Sequence, residues 1–194
     1  GKLFFNHIKS QTASPQLITL GGIGRDSVMH SKIVTKDSAD FAGPVYLQAD
    51  QVQTDGGRFG GVTTVEQSGA ASMAYAVTDS VAGLLPVTIS LGGNRFEDSL
   101  IVINGRSGIW QWETHRADIH GKGIQLTHAA LGMGWISLAN TGEITLPHLT
   151  VSSSPAASAL GGIKIGFAAD SVIVPADKIF KTTDFTRGWL ELYR

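Results

Sequence analysis

The sequence predicts an all-β fold of short antiparallel strands, arranged as a sandwich or as a strand-rich fibre. Three observations predict it: an excess of glycine, a near absence of helical periodicity, and explicit turn chemistry between short alternating segments. Of 194 residues, 24 are Gly, well above the usual ~7%. Each interior Gly costs a helix about 1 kcal/mol relative to Ala, so a long helix or coiled coil is excluded. Collagen is excluded as well, because Gly does not recur at every third position. A hydrophobic content of 42% with a net charge of −1 opposes intrinsic disorder.

Taken in chain order, the segments that alternate with period two or carry short β-branched runs are Ser27 to Thr35, Val45 to Gln53, Gly61 to Gln67, Ser72 to Thr78, Pro86 to Leu91 and Ser99 to Ile103. Gly108 to Glu113, Gly123 to Thr127, Gly134 to Leu138, Glu143 to Leu146 and Ser171 to Val174 follow. Such runs, bounded by Gly, Asn, Asp or Pro, are strand signals. Asp55-Gly56-Gly57, Gly92-Gly93-Asn94, Asn104-Gly105 and Asn140-Thr141-Gly142 supply the positive φ values that tight turns require. Ser99 to Glu113 is expected to form a hairpin turning at Asn104-Gly105. No amphipathic helices lie between the strands to serve as crossovers, which argues against a parallel βαβ sheet.

An internal echo accompanies this pattern. Leu20-Gly21-Gly22 recurs as Leu91-Gly92-Gly93 and Leu160-Gly161-Gly162, each followed by Asp-Ser-aliphatic at Asp26, Asp98 and Asp170. A modular β unit would produce such an echo, and so would chance among abundant Gly and Ser residues.

Charge and composition narrow the functions. Charged residues make up only 16% of the chain, with 15 basic against 16 acidic, so no basic field supports nucleic-acid binding. The most apolar stretch, Ala129 to Ala139, is about eleven residues long and interrupted by Gly132 and Gly134, too short for membrane insertion. The absence of Cys removes disulfides, thiol nucleophiles and thiolate metal ligands. No signal-peptide pattern is read at the start, and a longer polypeptide preceding Gly1 would hide one.

From Ser152 to Gly166 the chain has a Ser- and Ala-rich lead-in followed by Leu160-Gly161-Gly162-Ile163-Lys164-Ile165-Gly166. This resembles a motif of bacteriophage tail fibre proteins, found near their distal, receptor-binding C-terminal region. The likeness covers about fifteen residues of 194; Asp98 to Pro147 adds a compositional one. The resemblance implies a homotrimer wound about an axis, joined to other tail proteins, outside the host cell on the virion. It implies a tip that binds a bacterial cell-surface polysaccharide or an outer-membrane protein, without catalysis. On this reading residues 1–60 form an N-terminal β segment, shaft or neck, and residues 61–194 a distal β domain, with one domain over 1–194 as the alternative. Intertwining would also cover strand edges that a Gly-rich, low-charge chain leaves open. A polysaccharide depolymerase of the tailspike type and a purely structural shaft segment are the alternatives.

The candidate ligand-binding residues centre on Trp110 and Trp112, which point to one face of a strand about Gln111. Flat indole faces stack on sugar rings, and Arg95, Arg106, Glu113, His115 and Arg116 would hydrogen-bond to hydroxyls. A place for the two tryptophans in the core or in the trimer contact is the competing reading, and Trp135, Trp189 and Tyr193 are lesser candidates, expected to be packed rather than exposed. His115, Asp118, His120 and His128 form a His cluster, but the odd spacing of His115 and His120 turns them to opposite faces of a strand, so no metal is expected. No cofactor is expected: no glycine-rich segment has the strand-to-helix context of a nucleotide site. Glycoside hydrolysis needs two carboxyls ~5 to 9.5 Å apart. Glu97, Asp98, Glu113 and Glu143 are the candidates, set aside because the chain has only 16 acidic residues and no long parallel β-helix repeat is read. No Gly-x-Ser-x-Gly elbow is present.

Overall fold

Alternation in the sequence becomes strands with one buried face. Val45-Tyr46-Leu47-Gln48-Ala49 forms β6 (Val45–Ala49), whose first, third and fifth residues are buried, and Leu100-Ile101-Val102-Ile103-Asn104 forms β12 (Leu100–Asn104) in the same pattern. In the computed structural model the described residues are 2–5, 9–19, 32–36, 39–68, 87–139, 141–166, 169, 171–173 and 180–193. The expected strand at 72–78, the first Leu-Gly-Gly copy at 20–22, and Asp26, Asn140 and Asp170 lie outside them, as does the beginning of the expected strand at 27–35.

The described residues form strands and no helix, and they lie on three faces. The first face carries β1 (Lys2–Phe5), β4 (Lys32–Lys36) and β7 (Gln51–Asp55), followed by β10 (Val87–Ile89), β13 (Gly108–Gln111), β16 (Gly134–Leu138), β19 (Gly162–Ile165) and β22 (Trp189–Leu192). Its two sheets abut where the Thr54 amide donates to Ser90 Oγ at 3.2 Å and the Leu91 amide to Asp55 Oδ1 at 2.9 Å. The second face carries β2 (Lys9–Ser10), β5 (Asp40–Phe41), β8 (Gly57–Phe59), β11 (Asn94–Phe96) and β14 (Ile119–His120), and a separate pair joins β17 (Glu143–Thr145) to β20 (Ser171–Ile173). The third face carries β3 (Gln16–Thr19), β6, β9 (Thr63–Gln67), β12, β15 (Gly123–His128), β18 (His148–Ser153) and β21 (Phe180–Thr182).

Each strand pairs with the third one before or after it, and every pairing is parallel. This is a parallel β-helix with three strands to a coil, and it corrects the expectation of an antiparallel sandwich. Parallel neighbours need a long crossover, usually a helix. Here the crossover consists of two further strands on the other faces, so no helix is required. Alternation reports a buried face but is silent on the direction of the neighbour. The expected hairpin is corrected for the same reason. β12 and β13 lie on different faces, and Asn104-Gly105 is a corner, stacked by Gly105 N to Gln67 O at 2.8 Å and Ala129 N to Asn104 O at 2.9 Å. One ground for setting hydrolysis aside, the lack of a parallel β-helix, therefore falls.

The coil interior is filled by in-register rows. On the third face Leu47, Val65, Val102, Leu126 and Val151 stack from coil to coil, all fully buried. On the second face Phe41, Phe59 and Phe96 stack at centroid separations of 5.6 and 5.0 Å, and the His120 ring continues the row 5.7 Å beyond. The true repeat is this coil, of unequal length: Thr63, Leu100, Ile124 and Leu149 are consecutive register partners. The two described Leu-Gly-Gly copies occupy different places in it. Gly92 and Gly93, with φ of 85° and 80°, turn the corner into β11, whereas Gly161-Gly162 leads into β19 on the first face. The pairings of β8 with β11 and of β6 with β9 run across the 60/61 boundary.

Candidate functional site

The structure divides the expected ligand-binding residues between interior and surface. Trp110 and Trp112 do share a face, and it is the inner one: both are fully buried, with rings 5.2 Å apart. Trp110 lies in register with Ile136, which continues to Ile163 and Leu190, so it belongs to the apolar row of the first face. Glu113 follows at the corner with φ 59° and is also fully buried. Arg106 is buried, and its Nη1 donates to the Asp50 carbonyl at 3.0 Å. His115 and Arg116 are exposed on the corner before β14, where both backbone amides donate to the Leu91 carbonyl. Arg95 points outward from β11.

Arg95 belongs to a surface ion network on the second face. Arg58 lies in register between Asp40 and Arg95, and bonds Asp40 at 3.0 Å and Glu97 at 2.8 Å; Arg95 Nε reaches Glu97 at 3.2 Å. The Arg58 guanidinium holds the Glu97 carboxyl below its ordinary range. Lys122, 2.6 Å away, does the same for Asp98. A general acid requires the opposite shift. Of the carboxyls weighed for hydrolysis, these two are thus paired and Glu113 is sealed from solvent.

An outward aromatic row stands on the C-terminal part of the first face. Trp135, Gly162 and Trp189 are register partners on β16, β19 and β22, with the two indoles 5.9 Å apart and tilted by 50°. Two residues along β19, Lys164 extends its ammonium 5.4 Å from each indole centroid and 5.9 Å from the Tyr193 ring, within cation–π range. Glu191 closes the group, 3.3 Å from Lys164 Nζ and accepting from the Tyr193 hydroxyl. These two bonds, Tyr193 first, hold its carboxyl low. Gly162 is what admits the row: a Cβ there would meet Trp189 O at 2.1 Å and its Cδ2 at 2.5 Å. The fibre-like motif therefore has a local physical meaning, with Ile163 and Ile165 in the core and Gly162 and Lys164 on the outer face. Trp135, Trp189 and Tyr193, expected to be packed, are half-buried on this outer face. The sequence offers them only as lesser candidates; the signal that brings them together is register, which places Trp135 beside Trp189 only once the coil length is known.

A second cluster is wholly interior. Glu113, Asp118 and His120 each offer a ligand atom, all within 4.8 Å of one another. His120 Nε2 lies 2.8 Å from Glu113 Oε1, and Asp118 Oδ1 accepts from the Asn94 amide at 2.7 Å and from Asn94 Nδ2 at 2.9 Å. Burial pushes the Glu113 carboxyl up to about 8. Burial and then the neighbouring Glu113 charge push Asp118 to about 8, and burial lowers His120. His115, grouped with His120 in the sequence, is not part of the cluster. His128 stands elsewhere, with Nε2 2.9 Å from the Ser158 carbonyl.

Comparison with protein-family models, with curated proteins and with solved structures found no match.

Proposed function

We propose that the chain is a non-catalytic receptor-binding part of a bacteriophage tail fibre, attaching the virion to a surface polysaccharide or outer-membrane protein of a bacterium. The observation that carries this reading is the outward row Trp135, Lys164, Trp189 and Tyr193, built on the strand that the fibre-like motif forms. Half-exposed indoles beside a cation and the Glu191 carboxylate suit a saccharide, whose ring faces are apolar and whose rim is hydroxylated. The expected site thus moves from Trp110 and Trp112 to this row, with Arg95, His115 and Arg116 left as surface groups on other parts of the coil. The reading keeps the homotrimer, which would present three such rows and convert weak single-site contacts into firm attachment through avidity.

Binding of the fluorescently labelled chain to host cells and to purified host polysaccharide tests it. Trp135→Ala and Trp189→Ala are expected to weaken binding at least tenfold while far-UV circular dichroism stays that of the wild type. Unchanged binding by both folded variants would overturn the assignment. Release of new reducing ends from the polysaccharide would replace it by the depolymerase reading, and failure of the isolated chain to compete with phage adsorption by the shaft reading.

A further inference from the structure

We infer that Glu113, Asp118 and His120 form a buried binding site for one divalent first-row transition ion, of the Zn2+ or Mn2+ kind, which ties the corner after β13 to β14. The three side chains come from one short stretch of chain, folded back so that their ligand atoms lie within 4.8 Å of one another. All three are sealed: the side chains of Glu113 and His120 are 0% and 1% exposed, and Asp118 is 6% exposed.

A second observation is independent of this clustering. Glu113 Oε2, Asp118 Oδ2 and His120 Nδ1 are buried with no hydrogen-bond partner among the described residues. Leaving one such atom unpaired costs about 1–3 kcal/mol. Three such atoms on the side chains of one sealed cluster, two of them carboxylate oxygens, mark a place built to hold something positive. The remaining polar atoms of the cluster are already engaged and fix its shape. Asp118 Oδ1 is held by two bonds from Asn94, whose own Oδ1 accepts from Gly56 N at 3.1 Å, and the His120 ring is held by stacking on Phe96 at 9°. Hydrogen bonds that orient the ligands in this way are what metal sites require of their surroundings.

The donor set selects the ion. Two carboxylates and one imidazole suit Zn2+ and Mn2+, whereas Ca2+ and Mg2+ prefer oxygen-only shells. The charge also balances, because two carboxylates and a neutral imidazole around a dication leave no net charge in the interior, where unpaired charge is costly. The odd spacing that turns His115 and His120 to opposite faces does not oppose this site, since its other ligands are carboxylates presented at a corner rather than along a strand.

The full chain without a polyhistidine tag is stripped with chelator, unfolded, and refolded with Zn2+ or Mn2+. Bound metal is then measured by elemental mass spectrometry after desalting, so that slow entry into a closed interior cannot mask binding. About one ion per chain is expected in the wild type. Affinity in the paired variant Glu113→Gln with Asp118→Asn is expected to fall by more than the ~10–100-fold typical of changes around the ligands. Equal metal content in that variant, or none in the refolded wild type, overturns the inference. Should the variant not fold, the visible spectrum of Co2+-substituted wild type decides: tetrahedral or five-coordinate bands displaced by Zn2+ support the site, and the spectrum of hydrated Co2+ refutes it.

Discussion

Gly162→Ala joins the motif, the coil and the proposed binding row in one perturbation. The added methyl would lie 2.1 Å from Trp189 O and 2.5 and 2.7 Å from the Trp189 ring atoms Cδ2 and Cε3. Ordinary carbon contacts begin near ~3.5 Å, so β22 must retreat by more than ~1 Å from β19. Its register runs Gly162 to Trp189, Ile163 to Leu190, Lys164 to Glu191 and Ile165 to Leu192, and the same movement draws Leu190 away from Ile163. Overpacking of this kind costs about 1–3 kcal/mol. At ~2–4 °C per kcal/mol for a chain of this size, the melting point should drop by about 2–12 °C. Gly123→Ala provides the contrast. It also sits in a strand, but its Cβ would find its nearest neighbours at 3.5 Å (His148 O) and 3.6 Å (Ser99 Oγ). It should be neutral, or stabilising by about 0.4–1 kcal/mol through the less free unfolded chain. Urea unfolding of both variants supplies the energies, and acrylamide quenching reports the exposure of the indoles. A Gly162→Ala chain as stable as Gly123→Ala, with wild-type quenching, would refute the claim that this glycine exists to seat Trp189.

Trp112→Ala, which opens the interior beside Trp110 and Phe96, should cost about 3–5 kcal/mol in denaturant unfolding, while Trp135→Ala on the outer face costs less than half as much. Asn94→Ala removes bonds to Thr54 O, Asp118 Oδ1 and Gly56 N at 2.9, 2.9 and 3.1 Å; with the buried partners left unpaired, the loss should be about 2–4 kcal/mol, and a loss under ~1 kcal/mol would contradict it. His128 is lowered below 6.5 by burial, so the unfolded chain takes up the proton first; as pH falls below 6.5 the wild type should lose stability relative to His128→Gln, by up to about 1.4 kcal/mol per pH unit, and parallel pH profiles would refute this. In the metal-free chain Glu113 and Asp118, raised to about 8, act with the opposite sign: the stability they supply is full below ~4 and lost as pH rises through ~8, so Glu113→Gln should flatten the profile over that range.

The strands were largely legible and their arrangement was not, for a definite reason. Leu100 to Asn104 alternates so regularly that one buried face follows from residue order alone, and the structure has that face. The neighbour that covers its edges is Thr63 to Gln67 on one side and Gly123 to His128 on the other, and nothing in residues 100–104 encodes either. Gly at a corner was equally ambiguous. Positive φ at Gly56, Gly57, Gly92 and Gly93 is what a hairpin needs and also what a coil corner needs, so turn chemistry located the bends without saying whether the chain reverses or moves to a new face.

The same ambiguity displaced the candidate site. Trp110 and Trp112 share a face by alternation, but inside and outside are assigned by the coil: Trp110 continues the row of Ile136 and Ile163, whereas Trp135 stands one position out of that row and points away. A one-residue offset is enough to exchange core for surface on a pleated strand. Conversely, Glu113 and His120 are not separated by alternation at all, because the chain turns a corner between them and period two ceases to apply. Register between coils thus decides which aromatic residues meet solvent, and corners decide which polar residues meet one another. The proposed binding row depends on the first and the proposed ion site on the second, so loss of β22 should abolish the row and leave the cluster of Glu113, Asp118 and His120 in place, since stacked coils are stabilised mainly by their immediate neighbours.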